Sequence, residues 1–271
     1  MATSRKEDLP SRRPEAAPAL GRRLIAEGIG TAMLVLFGAG SVVAALLVGA
    51  GQLDYAGLGM VSVAFAIVVA VVIYAFGSTS GAHINPAVTL ALAARGRFPA
   101  GEVAPYVVAQ TLGAVAGALL IVATFGEVAI DLGGDGGTTL TDGVSLLRGI
   151  VAEALGTFLL VTAIFALAVD RRAPAGWAGF VIGLAVACAI LLIAPVTGGS
   201  LNPARTFGPL LVTTLWSGDT EWGDLPAYLI GPVLGAVLAA FAYDLVARPA
   251  EAQDVVEPPQ GAAGDITGRR E

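Results

Sequence analysis

Residues 80–92, SGAHINPAVTLAL, and residues 197–209, TGGSLNPARTFGP, are written to one pattern. In each, a loop of small residues leads into Asn-Pro-Ala. About 10 mainly apolar residues follow, over 85–94 and 202–212. Asn is a favoured helix N-cap because its side chain accepts from the unpaired N–H groups of the first turn. Pro is favoured at the first helical position, where its missing N–H is not needed. Asn-Pro therefore reads as a helix start in both places. Ten helical residues rise about 15 Å, half of the roughly 30 Å hydrocarbon layer of a bilayer. Neither helix spans. A single Asn-Pro-Ala is an ordinary turn tripeptide; two copies that each open a too-short apolar helix form a paired device.

The surroundings of the pair belong in a membrane. The 271 residues are 56% hydrophobic and 13% charged, against about 25% charged in an average soluble domain. A soluble fold cannot cover so much apolar surface. Cys188 is the single Cys, so an intrachain disulfide scaffold is excluded. The net charge of −6 argues against nucleic acid as a partner. Stretches long and apolar enough to cross lie at 24–50, 57–77, 103–125, 147–169, 177–194 and 226–247. The first is too long for a secretory signal and has no cleavage-like segment after it. The polar residues 1–21 and 248–271 read as disordered cytoplasmic tails around one membrane domain, 22–247.

That domain repeats itself, over about 22–125 and 147–247. AEGIGTAMLVLF at 26–37 matches AEALGTFLLVTA at 152–163, and YVVAQTLGAV at 106–115 matches YLIGPVLGAV at 228–237. Three spans per half is an odd number, so the second half lies inverted relative to the first. Such inverted repeats carry their working site near the membrane midplane, where the halves meet. Of the 15 Lys and Arg, all but Arg148 and Arg205 fall on the side of the termini. The positive-inside rule then makes both termini cytoplasmic. The short loops suggest a multi-pass protein of the plasma membrane. The expected fold is all-α and polytopic, with six transmembrane helices and two re-entrant half-helices in an inverted 3+3 repeat.

Half-helices entering from opposite faces meet N-terminus to N-terminus at the centre. The backbone before them, 80–84 and 197–201, is tolerable at depth only where it lines a wet cavity or is covered by protein. This predicts a pore. The carbonyls of Gly81, Ala82 and His83, and of Thr197, Gly198, Gly199 and Ser200, form a ladder of acceptors along one wall. The amides of Asn85 and Asn202 offer donors at the centre, beside Pro86, Ala87, Pro203 and Ala204. A water there turns its oxygen to both Asn groups and cannot extend a proton wire. The positive helix ends also repel cations.

Other residues carry two readings. Glu27 and Glu153 are intramembrane acids at equivalent repeat positions, by default functional. They serve either proton coupling or, as the blander reading has it, support of the re-entrant loops through backbone N–H groups. His83 either gates by protonation or packs its loop. With one His and one Cys, no metal site is expected. Cys188 stands about 200° round the helix from Ile190, so the two side chains face opposite ways. Trp177, Trp216, Trp222 and Tyr228 read as interfacial anchors. The spacings Gly113-x-x-x-Gly117 and Gly231-x-x-x-Gly235 fit close helix packing, within or between subunits. No nucleotide, nucleophile-elbow or zinc-protease motif appears, so neither an enzyme nor a cofactor is expected.

Over about 22–247, SGAHINPAVT, SLNPARTFGP and the two AE-x-x-GT segments make the chain resemble the aquaporins of the major intrinsic protein family, nearest to the archaeal type. The resemblance implies a homotetramer with one pore per subunit. It places a narrow filter at Phe65, Ile190, Gly199 and Arg205. Arg205 also stands out unaided, as a cation close to the membrane core. Water-selective members typically have His where this chain has Ile190. Glycerol facilitators place Asp where it has Thr206, and pair a Trp with a second aromatic. The implied function is a passive water channel, permeable also to small neutral solutes such as glycerol and closed to protons and ions. The alternatives are a glycerol or metalloid facilitator and, from a different class, an inverted-repeat secondary transporter.

Overall fold

The computed structural model describes residues 18–217 and 220–247. Apart from residues 18–21, the expected tails at 1–21 and 248–271 lie outside them. Among the described residues, six helices are long and apolar enough to cross a membrane. We label them α1 (Leu20–Val48), α2 (Tyr55–Ser80), α4 (Val103–Phe125), α6 (Leu146–Val169), α7 (Ala178–Thr197) and α9 (Leu225–Val246). The half-helices are α3 (Pro86–Ala94) and α8 (Pro203–Ser217), and a short α5 (Val128–Gly133) lies in the connection between the repeats.

The helix ends follow from local chemistry. Asn85 accepts from the Ala87 N–H and caps α3, with Pro86 in its first turn. α2 and α7 run three residues beyond their expected ends because Gly81 (φ +89°) and Gly198 (φ +73°) supply the left-handed C-caps. α1 starts earlier than expected, at Leu20, which brings Arg23 onto the helix and within 2.6 Å of Glu102. α8 is longer than expected: it runs to Ser217, 15 residues rather than stopping at 212. The Thr214 hydroxyl donates to the Leu210 carbonyl at 2.7 Å, so this polar residue stays in the helix instead of ending it. At about 1.5 Å per residue even α8 falls short of a bilayer.

The two repeats interlock. Each half-helix packs on the last span of the other half, α3 on α9 and α8 on α4. At the end of α3 away from the centre, Arg95 pairs with Asp244 at 2.5 Å and lies over the Phe241 ring. Within each half the first and last spans touch backbone to backbone. A Cβ on Gly113 would come 2.2 Å from the Gly28 carbonyl, and one on Gly235 would come 2.0 Å from that of Ala154. Both small-residue spacings therefore serve packing within this one chain. The outward faces carry exposed apolar side chains such as Met60, Leu112, Leu192 and Leu238, as a lipid-facing surface requires.

Candidate functional site

The two re-entrant loops share one strained path. Ala82 (φ +47°) and Ile84 (φ +45°) follow Gly81, and Leu201 (φ +58°) follows Gly198 and Gly199. Positive φ is costly for any residue with a Cβ, and most for a β-branched one such as Ile84. The compensation comes from the two buried acids. Glu27 Oε1 accepts from Ser80 Oγ (2.7 Å) and His83 N (2.9 Å). Its Oε2 accepts from Ile84 N (2.7 Å) and Gln110 Nε2 (2.8 Å). Glu153 repeats the scheme: Oε1 takes Thr197 Oγ1 (2.6 Å) and Ser200 N (3.0 Å), and Oε2 takes Leu201 N (2.7 Å). Both carboxylates are fully buried.

Two tyrosines hold the loop entrances. The Tyr106 hydroxyl donates to the Ser80 carbonyl at 2.9 Å, and that of Tyr228 to the Thr197 carbonyl at 2.7 Å. Tyr228 is fully buried, so it is not the interfacial anchor expected of it. The Thr197 carbonyl, expected in the ladder, is taken by that hydroxyl instead. The signal was present: Tyr106 and Tyr228 open the third pair of matching segments.

At the centre the asparagines cross. Asn85 Nδ2 donates to the Leu201 carbonyl and Asn202 Nδ2 to the Ile84 carbonyl, each at 2.8 Å. Their Oδ1 atoms accept from Ala87 N (2.9 Å) and Ala204 N (3.0 Å). Each amide is thus fixed at both ends, and each NH₂ keeps a second N–H. Both asparagines line a cavity of about 370 Å³, together with Gly81, Ala82, His83, Ile84, Ser200 and Leu201. Pro86, Ala87, Pro203 and Ala204 are buried behind them as the first turns of α3 and α8.

Three of the four expected filter residues, Phe65, Ile190 and Arg205, line the same cavity. The Arg205 guanidinium carbon stands 5.3 Å from the Phe65 ring centroid. Gly199 faces Ile190: a Cβ on it would meet the isoleucine side chain at 3.5 Å. Arg205 is 1% exposed, so it does not snorkel to an interface. Its Nη1 donates to the Gly136 carbonyl at 2.8 Å. Sequence reasoning missed that partner, because Gly136 lies between the repeats and has no counterpart to flag it. It also missed Gly38, whose absent side chain admits the Phe65 ring; a Cβ there would come within 2.4 Å of it. Thr206 joins the Ser200 (2.6 Å) and Thr138 (2.8 Å) hydroxyls.

His83 Nδ1 pairs with Thr89 Oγ1 at 3.1 Å, and its ring packs against those of Phe98 and Tyr106. Cys188 is exposed, away from the cavity. Trp177 and Trp216 are each 55% exposed.

Comparison with known proteins bears on the family and the fold. Residues 16–243 match the profile of the major intrinsic protein family. The chain is 48% identical over 245 residues to a probable aquaporin AqpM of Archaeoglobus fulgidus, covering 84% of this chain and 98% of that one. It is 45% identical over 237 residues to the aquaporin AqpM of Methanothermobacter marburgensis, covering 83% and 96%. In fold it resembles the solved aquaglyceroporin from Plasmodium falciparum, with a TM-score of 0.75 at 23% identity over 84% of this chain and 97% of that one. The sequence match reaches from the start of α1 almost to the end of α9 and takes in both crossed asparagines; the chain belongs to the major intrinsic protein family.

Proposed function

We propose that the protein is a passive channel for water, with slower passage of small neutral solutes such as glycerol, and that it excludes protons and ions. The observation that carries this reading is the crossed pair of asparagines. Each amide is clamped by its own helix and by the opposite loop, so its second N–H is fixed toward the cavity. A water reaching the centre donates to neither amide. Its oxygen accepts from both, and its hydrogens point along the pore in opposite directions. A proton wire is broken at that point, and the convergent N-ends of α3 and α8 add positive potential there. Water keeps moving, because a loop carbonyl replaces each hydrogen bond it gives up.

In this reading Phe65, Ile190, Gly199 and Arg205 form the filter. Ile190 and Gly199 leave it wider and less polar than a His in place of Ile190 would. This also favours the second reading, a glycerol or metalloid facilitator. Thr206, engaged by Ser200 and Thr138, and the single filter aromatic favour water. A secondary transporter needs a free membrane carboxylate, whereas Glu27 and Glu153 spend their oxygens on the loops. We therefore assign both acids to loop support, and read the chain as a channel rather than an enzyme.

The rest of the assignment is a single channel domain over 22–247 in the plasma membrane, both termini cytoplasmic, assembled as a homotetramer. The paired test is osmotic shrinkage and proton flux in the same proteoliposomes. Fast shrinkage with proton leak no greater than in empty liposomes supports the reading. A proton current that follows the water flux refutes it.

A further inference from the structure

Residues 134–137, in the connection between the repeats, pack against α8 and α1 beside Arg205. Their path is fixed. Gly136 lies flat on α1, where a Cβ would come within 2.2 Å of the Ala39 carbonyl oxygen. Two residues on, Thr138 is tied to Thr206 of α8. The Gly136 carbonyl holds Arg205 Nη1. The preceding residue, Asp135, sits in the left-handed region at φ +60° and is fully buried. Neither of its carboxyl oxygens has a hydrogen-bond partner among the described residues, and the buried Nε of Arg205 has none either.

The surroundings of Asp135 leave one charge to act on it. From α8 comes Arg205, the only titratable side chain of that helix. The part of α1 beyond Ala39 and the adjoining half of α4 carry no titratable group. α5 contributes Asp131, which is exposed. Arg205 is also acted on by Glu153 of α6 and Tyr228 of α9. A buried carboxyl without donors favours its neutral form. Burial pushes Asp135 up to about 8, against the opposing pull of the Arg205 guanidinium.

We propose that Asp135 is a positioning residue for the filter arginine and makes the filter respond to pH. Neutral, it leaves Arg205 on the Gly136 carbonyl and over the Phe65 ring. Ionised, it draws the guanidinium by its unpaired Nε toward the connecting loop. That movement takes the cation off Phe65 and opens the filter to water and to small neutral solutes. The proposal rests on the channel reading above.

The test is osmotic shrinkage of proteoliposomes held at equal pH on both sides, spanning about one and a half units either side of the Asp135 value. Wild type is expected to show permeability stepping upward with its midpoint at about pH 8. Asp135→Asn removes the charge at nearly constant size, and Asn tolerates the left-handed backbone. Asp135→Gly removes the charge and the strain together, should the first variant fail to fold. Each monodisperse variant is expected to lose the step and stay at the wild-type low-pH level. A wild type that conducts with no step, or a step that survives in either variant, overturns the proposal while leaving the channel reading intact. No conduction at any pH removes both.

Discussion

Glu27 and Glu153 show how single residues make the site possible. A backbone path through Ile84 and Leu201 at positive φ is costly in itself. It persists because each acid gathers loop donors that would otherwise be unpaired in a dry environment. Glu27→Gln keeps one carbonyl acceptor but turns an NH₂ group toward a donor. The expected result is a lower melting temperature, with a loss of about 1–3 kcal/mol for the unsatisfied loop donor. Water flux per folded protein should hold, with no proton current gained or lost. A wild-type proton current abolished by Glu27→Gln would restore the transporter reading. At Cys188 the placement away from the cavity predicts that mercurials leave water flux unchanged. Strong block that vanishes in Cys188→Ser would contradict it.

At the scale of elements, the half-helices were legible because capping is local. Asn and Pro mark a start by their own chemistry, and the run of apolar residues measures the length. The end of α8 was not legible, since Thr214 satisfies its hydroxyl on the Leu210 carbonyl and the helix continues. Tyr228 lies near a span end in the sequence, but its match to Tyr106 is the better guide to its buried place at the loop. Gly136 and Asp135 stand between the repeats, where no internal copy serves as a guide. The glycine spacings were visible, but their partners were not: only the structure puts Gly235 against Ala154 and Gly113 against Gly28. Gly235→Val is expected to cost more than the usual 1–3 kcal/mol of overpacking, because the obstacle is backbone. Gly59→Ala, with no neighbour within 4 Å of the added Cβ, is the control. Thermal denaturation of the purified proteins in detergent compares them. Equal melting temperatures would mean that the first and last spans of a repeat do not pack this closely.

At the scale of the whole molecule, inversion and exchange produce the function. Each half-helix rests on the other repeat, so neither half completes the centre alone. The crossed bonds from Asn85 to Leu201 and from Asn202 to Ile84 tie the halves where the two re-entrant loops meet. In the reading we propose, the filter then sets which solutes reach that point. The most direct measurement is stopped-flow light scattering on proteoliposomes, with an impermeant osmolyte and then with glycerol, for wild type and Ile190→His. The account predicts fast water-driven shrinkage in both, and slow glycerol re-swelling in wild type that Ile190→His reduces further. Water flux no faster than in empty liposomes, or glycerol entry indifferent to Ile190→His, would contradict it.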